Sequence, residues 1–168
     1  MNKILFCLIL PLLLVSCTIS YKFNGASIDY SKVKSIDIRD FRNQASRVYP
    51  PLVQTFNEHI KDVYTRNTKL IILSNQKADL ELEGEIVRYD LTPLAVKEDA
   101  YAGMTRLTMA VKIRYINNVN PNEDKEETFS SYQDFESDKL LDDVQDQLID
   151  LLIEDIVDQI FNATMSNW

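Results

Sequence analysis

The sequence predicts an α+β fold: a two-layer sandwich of about four strands with two helices packed on one face, in the order β-α-β-β-β-α. Two observations carry this. Ile36 and Ile38 alternate with Asp37 and Arg39, and Leu107, Met109, Val111, Ile113 and Tyr115 alternate with Arg106, Thr108, Ala110, Lys112 and Arg114. Both are the period-2 pattern of half-buried strands. Apolar residues at helical spacing recur after Pro50-Pro51 and again after Leu140. A third observation sets the boundary of the body: residues 1–16 do not belong to it.

Lys3 is the only charge before Cys17, and Ile4 to Val15 is apolar except for Pro11. A short basic start, an apolar stretch and small residues at a cleavage point form a secretory signal peptide. The stretch is shorter than the roughly 20 residues a transmembrane helix needs. Leu14-Val15-Ser16-Cys17 resembles the bacterial lipobox at every position. That resemblance implies cleavage before Cys17, a diacylglycerol on its thiol and an acyl group on its new amine. Several chains on one residue make a stable anchor, at about 0.8 kcal/mol per buried methylene. Thr18 follows, not the Asp that by resemblance to enterobacterial sorting retains a lipoprotein in the inner membrane. The expected address is the outer membrane. Three regions result: a signal peptide over 1–16, a lipidated tether over 17–31 and one domain over 32–168.

In the domain, Val33 to Phe41 reads as a strand and Asn43 to Tyr49 as a loop. Pro50 and Pro51 suit a first helical turn, whose N–H groups lack partners in any case. Val53, Phe56, Ile60 and Val63 form the expected apolar stripe, and Asn67 the expected C-cap. Leu70 to Leu73 is a short apolar strand. Leu80, Leu82 and Ile86 alternate with Glu81, Glu83 and Glu85. The phase then shifts to Val87, Tyr89 and Leu91, and Gly84 suggests a bulge. Thr92 to Ala100 reads as a loop and Asn117 to Glu126 as a turn. Thr128 to Phe135 completes a hairpin with the long strand. Ser137 or Asp138 is positioned to cap the last helix. Leu140, Leu141, Val144, Leu148, Leu151, Leu152, Ile156 and Ile160 give that helix a wide apolar face. Asp142, Asp143 and Asp146 fall where the helix dipole favours negative charge.

Composition narrows function. Net charge is −8 at pH 7, and losing Lys3 makes the mature chain more negative still. An acidic body lacks the basic footprint of general nucleic-acid binding. Removal of Cys7 and lipidation of Cys17 leave no disulfide. His59 is the single histidine, so neither a usual zinc site nor a Ser-His-Asp arrangement is available. Gly25, Gly84 and Gly103 are isolated and form no phosphate loop. Asp142, Asp143, Asp146 and Asp150 lack the Gly-bearing loop of a calcium site and read as a solvated helix face. Asn162-Ala163-Thr164 fits a glycosylation sequon that carries little meaning beside a lipobox. No cofactor, metal or enzymatic activity is expected.

The feature that departs from the acidic background is Arg106, Lys112 and Arg114 on one side of the longest strand, with Arg88 and Lys97 near its neighbour's end. Such a row contacts phosphates, or it only keeps a sheet face wet and resists edge pairing.

Several segments together carry a family resemblance: the lipobox at Cys17, the run Tyr21 to Ser27, Ile36 to Phe41, Ala78 to Ile86 followed by Tyr89, and Gln145 to Phe161. In combination they resemble the LptE family, outer-membrane lipoproteins of lipopolysaccharide assembly, in a Bacteroidetes-like form. The resemblance implies two helices on a four-stranded sheet and no enzymatic activity. It implies a body lodged as plug and scaffold in the lumen of the β-barrel translocon LptD. It also implies lipopolysaccharide contact through basic residues of the central strands, for which Arg88, Lys97, Arg106, Lys112 and Arg114 stand nearest here. Two other classes remain open: an auxiliary lipoprotein of an envelope ABC transporter, and a surface lipoprotein that binds a glycan or host ligand.

Overall fold

The computed structural model describes residues 28–94 and 103–165. Cys17, the run Tyr21 to Ser27, Lys97 and most of the Thr92–Ala100 loop lie outside the described residues. The strands are β1 (Ser35–Ile38), β2 (Arg42–Asn43), β3 (Ile71–Leu73), β4 (Leu80–Pro93), β5 (Met104–Asn117) and β6 (Lys125–Glu136). The helices are α1 (Pro50–Asn67) and α2 (Leu141–Met165). The α+β class and the two helices match expectation; the strand count and order do not. The order is β-β-α-β-β-β-β-α, and the sheet has six strands. The surplus comes from the shortest members, β2 and β3, with two and three residues. β3 falls on the short apolar strand expected at Leu70 to Leu73, whereas β2, at two residues, completes no alternation that a sequence pattern can show.

The sheet is mixed, in the order β3-β1-β4-β5-β6, with β2 also pairing β4. β1 runs parallel to β3 and to β4. A parallel pair needs a crossover, and α1 supplies it between β1 and β3. β4, β5 and β6 form an antiparallel meander. Past Ile38 the chain kinks at Arg39–Phe41 and re-pairs with β4 as β2, at Arg42↔Glu85.

Gly84 is not the bulge. The β4–β5 register shifts between Ile86 and Arg88, so Val87 is the extra residue. Gly84 is needed for space. The kink turns the Phe41 ring onto it, and an added Cβ would overlap that ring and lie 2.5 Å from the Lys112 carbonyl oxygen.

The helix faces also differ from the pattern. On α1 the buried row is Leu52, Phe56, Ile60 and Tyr64, while Val53 and Val63 are half-buried. The stripe follows the i, i+4 row because Tyr64 goes inward, where its hydroxyl meets Thr164 at 2.5 Å. The α1 C-cap is Thr68, whose N–H donates to the Tyr64 carbonyl; Asn67 is the last helical residue. Ser137 does not cap α2, which starts at Leu141. Its N–H donates to the Gly103 carbonyl and its hydroxyl meets Thr105 Oγ1, closing the end of the β5–β6 pair. Leu140 and Leu151, expected on the apolar face, are exposed, while Ile149, Ile153 and Val157 are buried.

Both helices cover one sheet face, with α2 over β5 and β6 and α1 beside it. Phe56, Ile60, Leu152 and Ile156 meet Ile36, Ile38, Leu82 and Val111 in one continuous core. Two polar anchors hold the ends. Asp79 accepts from Lys34 N (2.8 Å), Ser35 N (3.1 Å) and Ser35 Oγ (3.1 Å), tying β1 to the start of β4. Gln145 Nε2 donates to the Tyr89 hydroxyl at 2.6 Å, under α2. Among the described residues, no helix is long and apolar enough to cross a membrane.

Candidate functional site

Among the described residues nothing covers the sheet face opposite the helices, and strand alternation decides what it displays. Leu82, Ile86 and Tyr89 point into the core, so Glu81, Glu83, Glu85, Arg88 and Asp90 point out. Pairing sets Arg114 beside Glu83, Lys112 beside Glu85, Ala110 beside Arg88 and Arg106 beside Thr92. β6 adds Glu126, Thr128, Ser130, Tyr132 and Asp134 to the same rows. Thus Arg88, Arg106, Lys112 and Arg114 share one face, as the alternation indicates.

They do not form a free basic patch. Arg106 is held by Asp134 through a two-pronged fork, at 2.7 and 2.9 Å. Its guanidinium also lies 3.6 Å from the centroid of the exposed Tyr132 ring. Lys112 pairs with Glu126. Arg114 reaches Glu83 at 3.3 Å, and Arg88 reaches Asp90 at 2.8 Å. These contacts leave a mark on the ionisation. The hydrogen bond from Arg106 holds the Asp134 carboxyl below its ordinary value, and Lys112 does the same for Glu126.

Sequence reasoning missed two members of this face. Arg39 lies at the kink after β1 and binds three carboxylates: Glu83 (2.6 Å), Glu81 (2.9 Å) and Asp37 (3.3 Å). Its alternation with Ile38 already placed it outward, but only the fold puts it beside β4. Arg42 reads as loop-adjacent in the sequence, yet β2 sets it against Glu85. Together these residues rim a cavity of about 680 Å³ whose charges balance: Arg39, Arg42, Lys112 and Arg114 against Asp40, Glu83, Glu85 and Glu126. Asp37 is 1% exposed although it stands on the open face, and its Oδ1 has no hydrogen-bond partner.

The remaining candidates lie elsewhere. His59 is half-buried on α1, away from this face. Asp142, Asp143, Asp146 and Asp150 are exposed on α2, and Asp146 accepts from the Tyr49 hydroxyl, which pushes that phenol up to about 12. Thr164 of the sequon is buried against Tyr64. Among the described residues no group of three His, Cys, Asp or Glu side chains is placed to hold a metal ion. The geometry offers a polar surface on which Arg39, Arg88, Arg106, Lys112 and Arg114 are paired with carboxylates.

Fold and surface define a class, a small α+β sandwich with a helix-free polar sheet face, and solved structures share that fold. Protein XCC0632 from Xanthomonas campestris superposes with a TM-score of 0.55 at 8% identity, over 80% of this chain and 85% of that one. The hypothetical protein CT253 from Chlamydia trachomatis gives 0.52 at 13%, over 78% and 97%. No curated protein matches the chain by sequence. The model of the LptE family, lipopolysaccharide-assembly, matches residues 33–164. The chain therefore belongs to the LptE lipopolysaccharide-assembly family.

Proposed function

We propose that this protein is a lipid-anchored outer-membrane subunit that plugs and scaffolds an LptD-type β-barrel and assists lipopolysaccharide on its way to the cell surface. The observation that carries the reading is the family match, which spans the body from Val33 to Thr164. Cys17, modified by diacylglycerol and an acyl chain, is the anchor in this reading. The body acts as a binding scaffold, without cofactor or catalysis.

The open face favours scaffold over electrostatic trap. Arg39, Arg88, Arg106, Lys112 and Arg114 are already engaged by neighbouring carboxylates, so the long-range pull of the face on an anionic glycolipid is small. A lipid phosphate that binds at Arg106 or Lys112 must displace Asp134 or Glu126. A barrel wall with balanced donors and acceptors meets such a face without that exchange, and the resulting complementarity fixes orientation more than affinity.

The test is an affinity purification of the mature lipoprotein from detergent-solubilised envelope, read by mass spectrometry. Recovery of one large β-barrel protein in stoichiometric amount is expected. Recovery of an ATPase and permease without a barrel overturns the proposal in favour of a transporter accessory. For the face itself, neutral variants are better probes than charge reversals, because Glu at 106 or 114 would face Asp134 or Glu83. Arg106→Gln with Arg114→Gln is expected to lower barrel recovery while the fold survives. Cys17→Ala is expected to leave the precursor unprocessed and unanchored.

A further inference from the structure

We propose that the cavity beside Asp37, on the helix-free face, binds a phosphoethanolamine group, with the ammonium on Asp37 and the phosphate on Lys77. The cavity holds about 470 Å³ and is lined by Asp37, Arg39, Asn75, Gln76, Lys77 and Glu81. Register brings these residues together. Asp37 pairs with Leu73 of β3 on one side and with Glu81 of β4 on the other, and Asn75 to Lys77 follow shortly after β3.

An unmet acceptor points to the ligand. Asp37 is 1% exposed and its Oδ1 has no hydrogen-bond partner. A buried polar atom left unpaired is costly, and more so on a charged group. The neighbouring cation is spent. Arg39 gives Nε to Asp37 Oδ2 at 3.3 Å, Nη1 to Glu83 at 2.6 Å and Nη2 to Glu81 at 2.9 Å. Glu81 is filled further by Asn118 Nδ2 at 2.9 Å. The other three lining side chains, Asn75, Gln76 and Lys77, are exposed and, among the described residues, make no hydrogen bond or ion pair. They can turn to let a donor reach Oδ1. One cavity thus holds an acceptor short of a donor and a cation without an anion.

That combination selects a zwitterion. Its cation must carry N–H, because Oδ1 needs a donor. A quaternary ammonium has none, and no aromatic side chain lines the cavity to cage one. A guanidinium binds best across both oxygens of a carboxylate, and Arg39 already holds Oδ2. An ammonium is a point charge with three donors and needs only the one oxygen. Among the described residues no three His, Cys, Asp or Glu side chains are placed to hold a metal ion instead. A lone lysine from a partner would meet Lys77 as a like charge. A phosphate beside the ammonium meets it as an opposite one, and its several oxygens also suit the amide N–H groups of Asn75 and Gln76. On the anchored reading above, the eleven residues from Cys17 to Ile28 keep the body within about 40 Å of phospholipid headgroups. A membrane lipid as the source rests on that reading, and the site itself does not.

The experiment is a nuclear magnetic resonance titration of the mature lipoprotein in detergent micelles with glycerophosphoethanolamine. Saturable shifts are expected at the amides of Asp37 and of Asn75 to Lys77. Glycerophosphocholine, ethanolamine alone and glycine are each expected to bind about ten-fold more weakly. Asp37→Asn and Lys77→Gln are each expected to weaken binding about ten-fold. Asp37→Asn is expected to stay folded, since Arg39 keeps Glu81 and Glu83; if it does not, Lys77→Gln, at an exposed position, carries the test. Absence of saturable shifts overturns the proposal, and so does equal binding of glycerophosphocholine, ethanolamine or glycine. Stronger binding by Lys77→Gln also overturns it, because Lys77 is then the partner of Asp37 in place of a ligand. Nanodiscs read the source. Shifts of the same amides with phosphatidylethanolamine but not phosphatidylcholine nanodiscs assign the group to a membrane lipid. Shifts with the soluble compound alone keep the site and count against the anchored reading.

Discussion

The two faces of the sheet are built from the same strands and obey opposite rules. The covered face is apolar and closely packed. Phe56 and Phe41 meet with ring centroids 5.0 Å apart, and Gly84 is the one residue type that leaves room for that ring. The open face is ionic and paired, with Arg39, Arg106, Lys112 and Arg114 each set beside a carboxylate. Packing energies are large and depend on shape, whereas exposed ion pairs are weak and screened by salt. Stability therefore resides on one face, and the other is free to be shaped by a partner.

The sharpest break in that contrast comes from the core. Phe56→Ala empties a fully buried ring site and is expected to cost about 3–5 kcal/mol, read as a lower denaturation midpoint. A smaller loss would mean that α1 collapses onto β1 and fills the space. Next is Gly84→Ala. The new methyl overlaps Phe41 and backbone atoms of β5, and such overpacking costs about 1–3 kcal/mol. Combining it with Phe41→Leu is expected to recover part of the loss, because the ring is the movable half of the clash. Unchanged stability of Gly84→Ala alone would contradict the packing described.

Asp79 sits between the two regimes, half-exposed and holding β1 to the start of β4. Its carboxyl is held below the ordinary value, first by the N–H of Lys34 and then, against some desolvation, by Ser35. A carboxyl depressed in the folded state gives stability that is present above its unfolded value, about 3.9, and lost as pH falls through the folded one. Asp79→Asn is expected to cost about 1 kcal/mol near neutral pH, after allowance for solvent. It is also expected to flatten the fall of stability below about pH 4. An identical acid limb in parent and variant would remove Asp79 from the account.

Legibility in the sequence divides along the same line. The long meander was readable because Leu107 to Tyr115 complete several alternations, and both helices were readable from their periodicity. The outward direction of Arg106, Lys112 and Arg114 followed from the same alternation, and Arg88 lies on their face because the bulge at Val87 sets its register. What escaped depends on neighbours distant along the chain. β2 is two residues long and exists only because β4 stands beside it. The buried row of α1 was displaced because Tyr64, a residue with a polar tip, finds Thr164 one hundred positions away. The pairing of each basic residue with an acid was likewise hidden, since Asp134 reaches Arg106 only through the β5–β6 register. Strand alternation gives the direction of a side chain, and register alone gives its partner.

The smallest expected effect in stability is the one that separates the faces most cleanly. Arg106 and Asp134 form the best fork on the open face, stacked on Tyr132. A double-mutant cycle of Arg106→Gln and Asp134→Asn isolates their coupling, provided neither single change creates a new contact. At low salt the coupling is expected to move the melting midpoint by only about 1–3 °C, and less as salt is added. Binding is expected to behave differently. Asp134→Asn frees a guanidinium that is rigidly placed on a strand, so capture of phosphate-bearing lipopolysaccharide should rise as the internal competitor is lost. If Asp134→Asn leaves glycolipid capture unchanged while Arg106→Gln lowers barrel recovery, the fork serves the protein contact alone. If both variants bind like the parent, the open face at Arg106 is a solvated surface, and the interface lies at the edge or the ends of the sandwich.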